Sequence, residues 1–336
     1  MNLKLKCLML CLLMLSVRTE SPVIGILTIH ASDRLKLIEQ TTYLYKSYVR
    51  FIEESGFRWI PISVFEDNNI IRKKLSKING VLLTGGAEKM GEKEKPSLYA
   101  RVVKQIIEFA KESNKNGINF PILAICMGFE AMLITLTDYK INLKRIINRK
   151  ISKRIHLKKK AYRSYLSLDF NKQNLDNFNK EKLFYFHHKY GFLMDDINRL
   201  GLHKTHINVL ASYNTKTERV LAMYEHKKFP FLAVQFHPEK VQFEAHQNPN
   251  INKSELAKEL NTKFSFVFRK MVGKTKTSLS DFDIDFYKLN TETMDWYGWG
   301  GEAFIYLFDE GKEYCLVDSC YNNDSYIFDF ILNNNG

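Results

Sequence analysis

The chain has 336 residues, 45% hydrophobic and 13% aromatic, which supplies enough apolar surface for a packed core and excludes a chain disordered throughout. A formal net charge of +13 at pH 7 points to an acidic partner. Nucleic acid, anionic membrane and an acidic small substrate all fit that charge, and composition does not choose among them.

Residues 1–21 read as a cleaved secretory signal. Lys4 and Lys6 precede an apolar stretch from Cys7 to Val17 that is too short to span a bilayer. The competing readings are an uncleaved anchor and a buried N-terminus. No later apolar run is long enough for a membrane span. Cys7 and Cys11 leave with the signal, so the mature chain keeps Cys126, Cys315 and Cys320. An odd count in a secreted protein implies an intermolecular bridge or a free thiol. Pairing of Cys315 with Cys320 would leave Cys126 free. Asn252-Lys253-Ser254 and Asn323-Asp324-Ser325 match the N-glycosylation acceptor pattern.

Residues 22–28 form a continuous apolar run of the kind buried parallel strands show. Over 41–55, Leu44, Tyr48, Phe51 and Ile52 recur at helical spacing, with Gly56 placed as a stop. A strand is expected at 57–64, a short basic helix at 70–78, a strand at 80–83 and an amphipathic helix at 97–115. The apolar run 120–125 then ends at Cys126. This alternation predicts a parallel sheet covered on both faces. The pattern changes from 138 to about 208. Within it, 140–163 holds eleven Lys or Arg residues interleaved with Ile141, Leu143, Ile146, Ile147, Ile151, Ile155 and Leu157. A solvated basic face and an attractor for an acidic substrate are both open. The stretch lacks a nucleic-acid-binding motif, and no nucleic-acid partner is expected. Strand character resumes at 209–212, 220–224 and 231–235, and a helix at 254–271 closes the domain. Residues 274–278 read as a linker, and the aromatic, acidic extension to 336 is expected to form strands against the main domain. Its role is unassigned.

Three signals fall at the ends of expected strands, where open α/β sheets place their active sites. Cys126, followed by Gly128 and a helical segment, has the layout of a nucleophile elbow, a sharp strand-to-helix turn. Gly85-Gly86 follows the 80–83 strand, and paired glycines let backbone N–H groups approach an oxyanion. His237 follows the 231–235 strand, with Glu239 two positions on. A thiol of ordinary pKa is mostly protonated at neutral pH, so an imidazole must take its proton. His237 suits that role and the later protonation of the leaving amine, and Glu239 would orient its ring from an extended segment.

The chain resembles the gamma-glutamyl hydrolases, a branch of the class I glutamine amidotransferase-like hydrolases. The resemblance is carried by Pro22-Val23-Ile24-Gly25-Ile26-Leu27, Ser47-Tyr48-Val49-Arg50-Phe51-Ile52, Gly80-Val81-Leu82-Leu83-Thr84-Gly85-Gly86, Ala124-Ile125-Cys126-Met127-Gly128-Phe129-Glu130, Phe186-His187-His188-Lys189-Tyr190 and Val234-Gln235-Phe236-His237-Pro238-Glu239-Lys240. Ala124 stands where the family commonly has Gly, and Thr84 where Pro is common. The resemblance implies an α/β flavodoxin-like three-layer sandwich with a central, mostly parallel sheet over 22–273. It implies a cofactor-free and metal-free thiol hydrolase, a secreted or lysosomal/vacuolar location, and a homodimer. By the same resemblance Cys126, His237 and Glu239 are catalytic, and the amides of Gly86 and Met127 form the oxyanion hole. His188 binds substrate, with His187 the weaker match, and Gly85 and Glu130 line the substrate site. The implied substrate is a folyl or antifolate poly-gamma-glutamate. The alternatives are another gamma-glutamyl compound and an inactive binding homologue.

Overall fold

Residues that are apolar at almost every position can only be satisfied by a strand covered on both faces, and five such runs make the centre of this molecule. Arg58–Ile62, Val23–Leu27, Val81–Leu83, Ile122–Ile125 and Phe231–Val234 lie side by side in that order, all parallel. Arg219–His226, Ile207–Asn214 and His156–Leu157 extend the last edge as antiparallel strands, giving eight in all. The computed structural model describes residues 21–30, 41–146, 150–245, 248–273, 279–288, 291–298 and 301–309. The expected signal up to residue 20, Cys315 and Cys320, Asn323-Asp324-Ser325 and the 274–278 linker lie outside the described residues.

Side chains alternate across the sheet and sort into two apolar layers. Ile24, Ile26, Leu82, Leu123, Ile125, Leu232 and Val234 pack with Tyr48 and Phe51 of helix Lys46–Glu53 and with Leu260, Phe264 and Val267 of helix Glu255–Val272. Val23, Leu27, Val81, Leu83, Ile122, Ala124, Phe231 and Ala233 pack on the other face. Their partners are Val103 and Ile106 of helix Leu98–Lys115 and Met132 of helix Met127–Leu136. The result is the three-layer α/β sandwich with a mostly parallel sheet. Helix starts follow the capping rule: the Ser97 and Ser254 side chains accept from the amides of Ala100 and Ala257. Among the described residues no helix is long and apolar enough to cross a membrane.

The structure departs from the expected helix at 41–55. Thr41–Tyr45 is a strand, and the helix begins at Lys46. Thr42 and Leu44 are both fully buried, the period of a strand, in a β-branched and aromatic segment that suits a pleated surface. The strand also has partners that local spacing does not reveal. Ile29–His30 pairs with one side of it, and Gly301–Asp309 pairs with the other, Ile305 opposite Tyr45 and Phe308 opposite Thr42. Gly301–Asp309 is the second arm of an antiparallel hairpin whose first arm is Thr291–Gly298. The C-terminal extension thus adds strands to the segment that leads directly into helix Lys46–Glu53.

The basic stretch is built from short pieces. Strands Lys144–Arg145, Ile151–Lys153 and His156–Leu157 precede a 3-10 turn at Lys159–Arg163. Ile146 and Ile155 anchor it in the core, while Lys144, Arg145, Arg154, Lys159 and Lys160 are exposed.

Candidate active site

Three of the parallel strands, Val81–Leu83, Ile122–Ile125 and Phe231–Val234, carry site residues at their C-terminal ends on one rim of the sheet. The strand Ile122–Ile125 stops at Cys126, whose φ of 53° and ψ of −106° turn it straight into helix Met127–Leu136. A non-glycine residue at positive φ carries backbone strain, which is held here by the strand on one side and the helix on the other. Gly128 permits the turn: a Cβ there would lie 2.4 Å from the Leu83 carbonyl oxygen. Its N–H instead donates to Thr84 O at 3.0 Å and ties the elbow to the loop carrying Gly85 and Gly86. Thr84 itself is fully buried, and its hydroxyl donates to Leu27 O at 3.0 Å.

His237 follows the neighbouring strand and is held by its own N–H, which donates to Tyr185 O at 2.8 Å. A Cβ on Gly85 would stand 3.0 Å from His237 Cε1 and 3.1 Å from Cys126 Cβ, so imidazole and nucleophile flank one small gap that only glycine leaves open. The same Cβ would stand 2.4 Å from Tyr48 Oη. Glu239 does not lie in extended chain. Pro238 starts the short helix Pro238–Phe243 with His237 as its N-cap, and from the first turn Glu239 Oε1 reaches His237 Nδ1 at 2.7 Å. Among the described residues the other oxygen, Glu239 Oε2, is buried without a hydrogen-bond partner.

One amide is seen at the nucleophile. The Met127 N–H is hydrogen-bonded to the Cys126 sulfur. Among the described residues the Gly86 N–H has no acceptor, whereas the Gly85 N–H donates to Tyr48 Oη at 2.8 Å. Glu130, one helical turn beyond the cysteine, is buried and accepts from Gln235 Nε2 at 3.0 Å. His188 is buried with Nε2 3.2 Å from Tyr213 Oη and Nδ1 against Tyr190 O. The His187 ring centroid lies 6.3 Å from that of His237. All eight residues expected from the sequence, Cys126, His237, Glu239, Gly86, Met127, His188, Gly85 and Glu130, therefore gather at this rim.

Residues 40–255 match the family profile of class-I glutamine amidotransferases. The gamma-glutamyl hydrolase of Mus musculus is 32% identical over 238 residues, covering 67% of this chain and 69% of its own, and that of Rattus norvegicus is 31% identical over 229 residues with the same coverage. The chain belongs to the gamma-glutamyl hydrolase branch of the class-I glutamine amidotransferase family. Gamma-glutamyl hydrolase 1 of Arabidopsis thaliana is 31% identical over 231 residues, and the match spans 66% of this chain and 64% of the plant protein's length.

The side chains at this rim are buried, and burial governs their charges. Burial pushes the Cys126 thiol up, helped by Glu130 and Glu239 and opposed by the Met127 amide. It drops His237 to about 3, with the nearby Lys240 cation adding to the effect. Glu239 rises to about 7 and Glu130 to about 8, both through burial. His187 falls to about 3 and His188 to about 4 for the same reason. The resting site is thus a neutral thiol beside a neutral imidazole. Lys240 is buried and paired with Glu244 at 2.5 Å, and Glu244 also accepts from Ser47 Oγ at 2.6 Å.

Tyr48, Gln235 and Tyr213 were not singled out by sequence reasoning. Tyr48 sits at an apolar helix position in the sequence, and nothing local says that its hydroxyl ends at Gly85 N and 3.4 Å from His237 Nδ1. Gln235 stands in the strand-to-histidine motif, and a polar side chain at the close of an apolar run was the available signal.

Proposed function

We propose that this protein hydrolyses gamma-glutamyl amide bonds by covalent thiol catalysis, with folate poly-gamma-glutamates as its substrates. The observation that carries the reading is the shared gap between Cys126 and His237, with the Met127 amide on the Cys126 sulfur. The gamma-glutamyl hydrolases among its relatives support the bond type.

With substrate seated, His237 Nε2 takes the thiol proton and the sulfur attacks the gamma-carbonyl carbon. The carbonyl oxygen gains negative charge and is met by the Met127 and Gly86 N–H groups. Collapse breaks the C–N bond, and the imidazolium gives its proton to the departing amine. A water molecule, deprotonated by the same imidazole, then attacks the thioester. The thiol is regenerated and the new gamma-carboxylate leaves. Glu239 Oε1 accepts the Nδ1–H, which leaves the Nε2 lone pair toward the thiol. Incubating the purified protein with a folyl or p-aminobenzoyl polyglutamate and separating the products tests the reading. Shortened conjugates are expected, and an intact substrate would remove it.

The burial of His237 and Glu239 sets an expected pH profile. Acidification adds the next proton to the carboxyl, on the partnerless Oε2, while Oε1 keeps its bond to Nδ1–H. The lowered imidazole value means that the base stays neutral as pH falls through the ordinary range of about 6.5. The acid limb of kcat/KM should therefore fall well below that value. Glu239→Gln, which imitates the protonated carboxyl, should keep activity within about tenfold, less than the roughly 100- to 10,000-fold lost when a proton-transferring group is removed. A limb near the free-imidazole value, or a far larger loss in the variant, would contradict this account.

Lys140, Lys144, Arg145, Arg154, Lys159 and Lys160 are exposed on the basic stretch, and a polyglutamate carries one alpha-carboxylate per unit. Attraction at that range is screened over about 10 Å at 0.1 M salt. The apparent KM for long polyglutamates is expected to rise with ionic strength more than that for a single glutamate, and equal slopes would mark the stretch as a solvated face.

A further inference from the structure

Lysine 153 differs from the exposed cations around it. It ends the short strand Ile151–Lys153, which pairs antiparallel with Phe184–Phe186, Lys153 opposite Phe184. Phe184–Phe186 leads directly into His187 and His188. The Lys153 ammonium sits 4.9 Å from the centre of the Tyr213 ring, and the Tyr213 hydroxyl lies 3.2 Å from His188 Nε2. Lys153 lies close enough to His188 for its positive charge to help lower that ring's affinity for a proton. A line of contacts thus runs from His188 through Tyr213 to this lysine.

What Lys153 lacks is a counter-ion. Among the described residues no carboxylate lies within ion-pair distance of it, and burial alone lowers its affinity for the proton. Other buried cations are satisfied: Lys240 pairs with Glu244, and Lys74 pairs with Glu66. A half-buried ammonium held over an aromatic face pays part of its desolvation without an anion in return. An incoming carboxylate would supply that anion in a setting where water competes weakly.

We propose that Lys153, braced by Tyr213, forms the subsite for an alpha-carboxylate of the glutamyl chain. The inference rests on the function proposed above and adds a specificity residue to it. The lysine binds and orients substrate and takes no part in proton transfer, so its loss falls on KM.

The test compares a p-aminobenzoyl polyglutamate with its alpha-carboxamide counterpart. Lys153→Met keeps the aliphatic stem over Tyr213 and removes the charge. KM for the carboxylate substrate should rise about 10- to 100-fold, the range for a charge-assisted hydrogen bond, with kcat nearly unchanged. KM for the carboxamide should stay as in the native protein, and Lys153→Arg should restore most of the discrimination. Lys153→Gln replaces Lys153→Met if the latter loses its thermal transition. An unchanged KM ratio in a folded charge-removing variant overturns the subsite. Failure of the native protein to cleave either substrate overturns the underlying function instead.

Discussion

Replacing Cys126 with alanine should lower turnover of a gamma-glutamyl substrate by roughly four to six orders of magnitude, the loss seen when a covalent nucleophile is removed from a hydrolase that acts through an acyl-enzyme. The expected cause is specific. Alanine keeps the Cβ, and with it the elbow, the helix start and the Gly128 N–H bond to Thr84. Only the sulfur and its contact with the Met127 amide go. The side chain is buried, so the deletion costs on the order of 1 kcal/mol of packing. The melting temperature should therefore stay within about 4 °C of the native value. Product separation and thermal unfolding, run on one preparation, read both quantities. Undiminished cleavage by a folded Cys126→Ala protein would end the thiol mechanism.

Gly85→Ala should also slow the reaction, by less than loss of the nucleophile does, and without touching a reacting atom. Its new methyl group has three neighbours inside contact distance, Tyr48 Oη at 2.4 Å, His237 Cε1 at 3.0 Å and Cys126 Cβ at 3.1 Å. Tyr48 is fully buried and bonded to Gly85 N, so it cannot swing aside into solvent. The strain must be relieved by moving the imidazole or the elbow. Displacements of about 1 Å at reacting groups cost on the order of 100-fold in rate, and overpacking of this kind costs about 1–3 kcal/mol of stability. Steady-state kinetics with kcat resolved from KM checks the claim. A variant with native kcat would mean that the gap is wider than its neighbours imply.

The two substitutions separate what was legible in the residues from what was not. Cys126 was readable because an elbow is local: an apolar strand, a cysteine, then glycine two positions later and a helix. Gly85 was readable as a turn, but the reason for glycine there was not, because the atoms that exclude a Cβ come from Tyr48, Cys126 and His237. The same limit explains Tyr48. On a helical wheel it is one more apolar position, and its hydroxyl gains meaning only when the helix is laid beside the Gly85 loop. The misread start of helix Lys46–Glu53 has a related origin. Thr41–Tyr45 is a strand because Ile29–His30 and Gly301–Asp309 pair with it from distant parts of the chain.

By itself the sequence determined the parallel core and the strand ends at which chemistry would sit, since burial on both faces demands unbroken apolar runs and a turn after each. Tertiary structure alone decided which of those ends meet. It set Glu239 at the N-terminus of a helix, left Oε2 without a partner among the described residues, and placed Lys153 over the Tyr213 ring. The physical reason is that pairing and desolvation depend on neighbours in space. A residue's charge and reactivity follow from the groups that surround it after the sheet has closed.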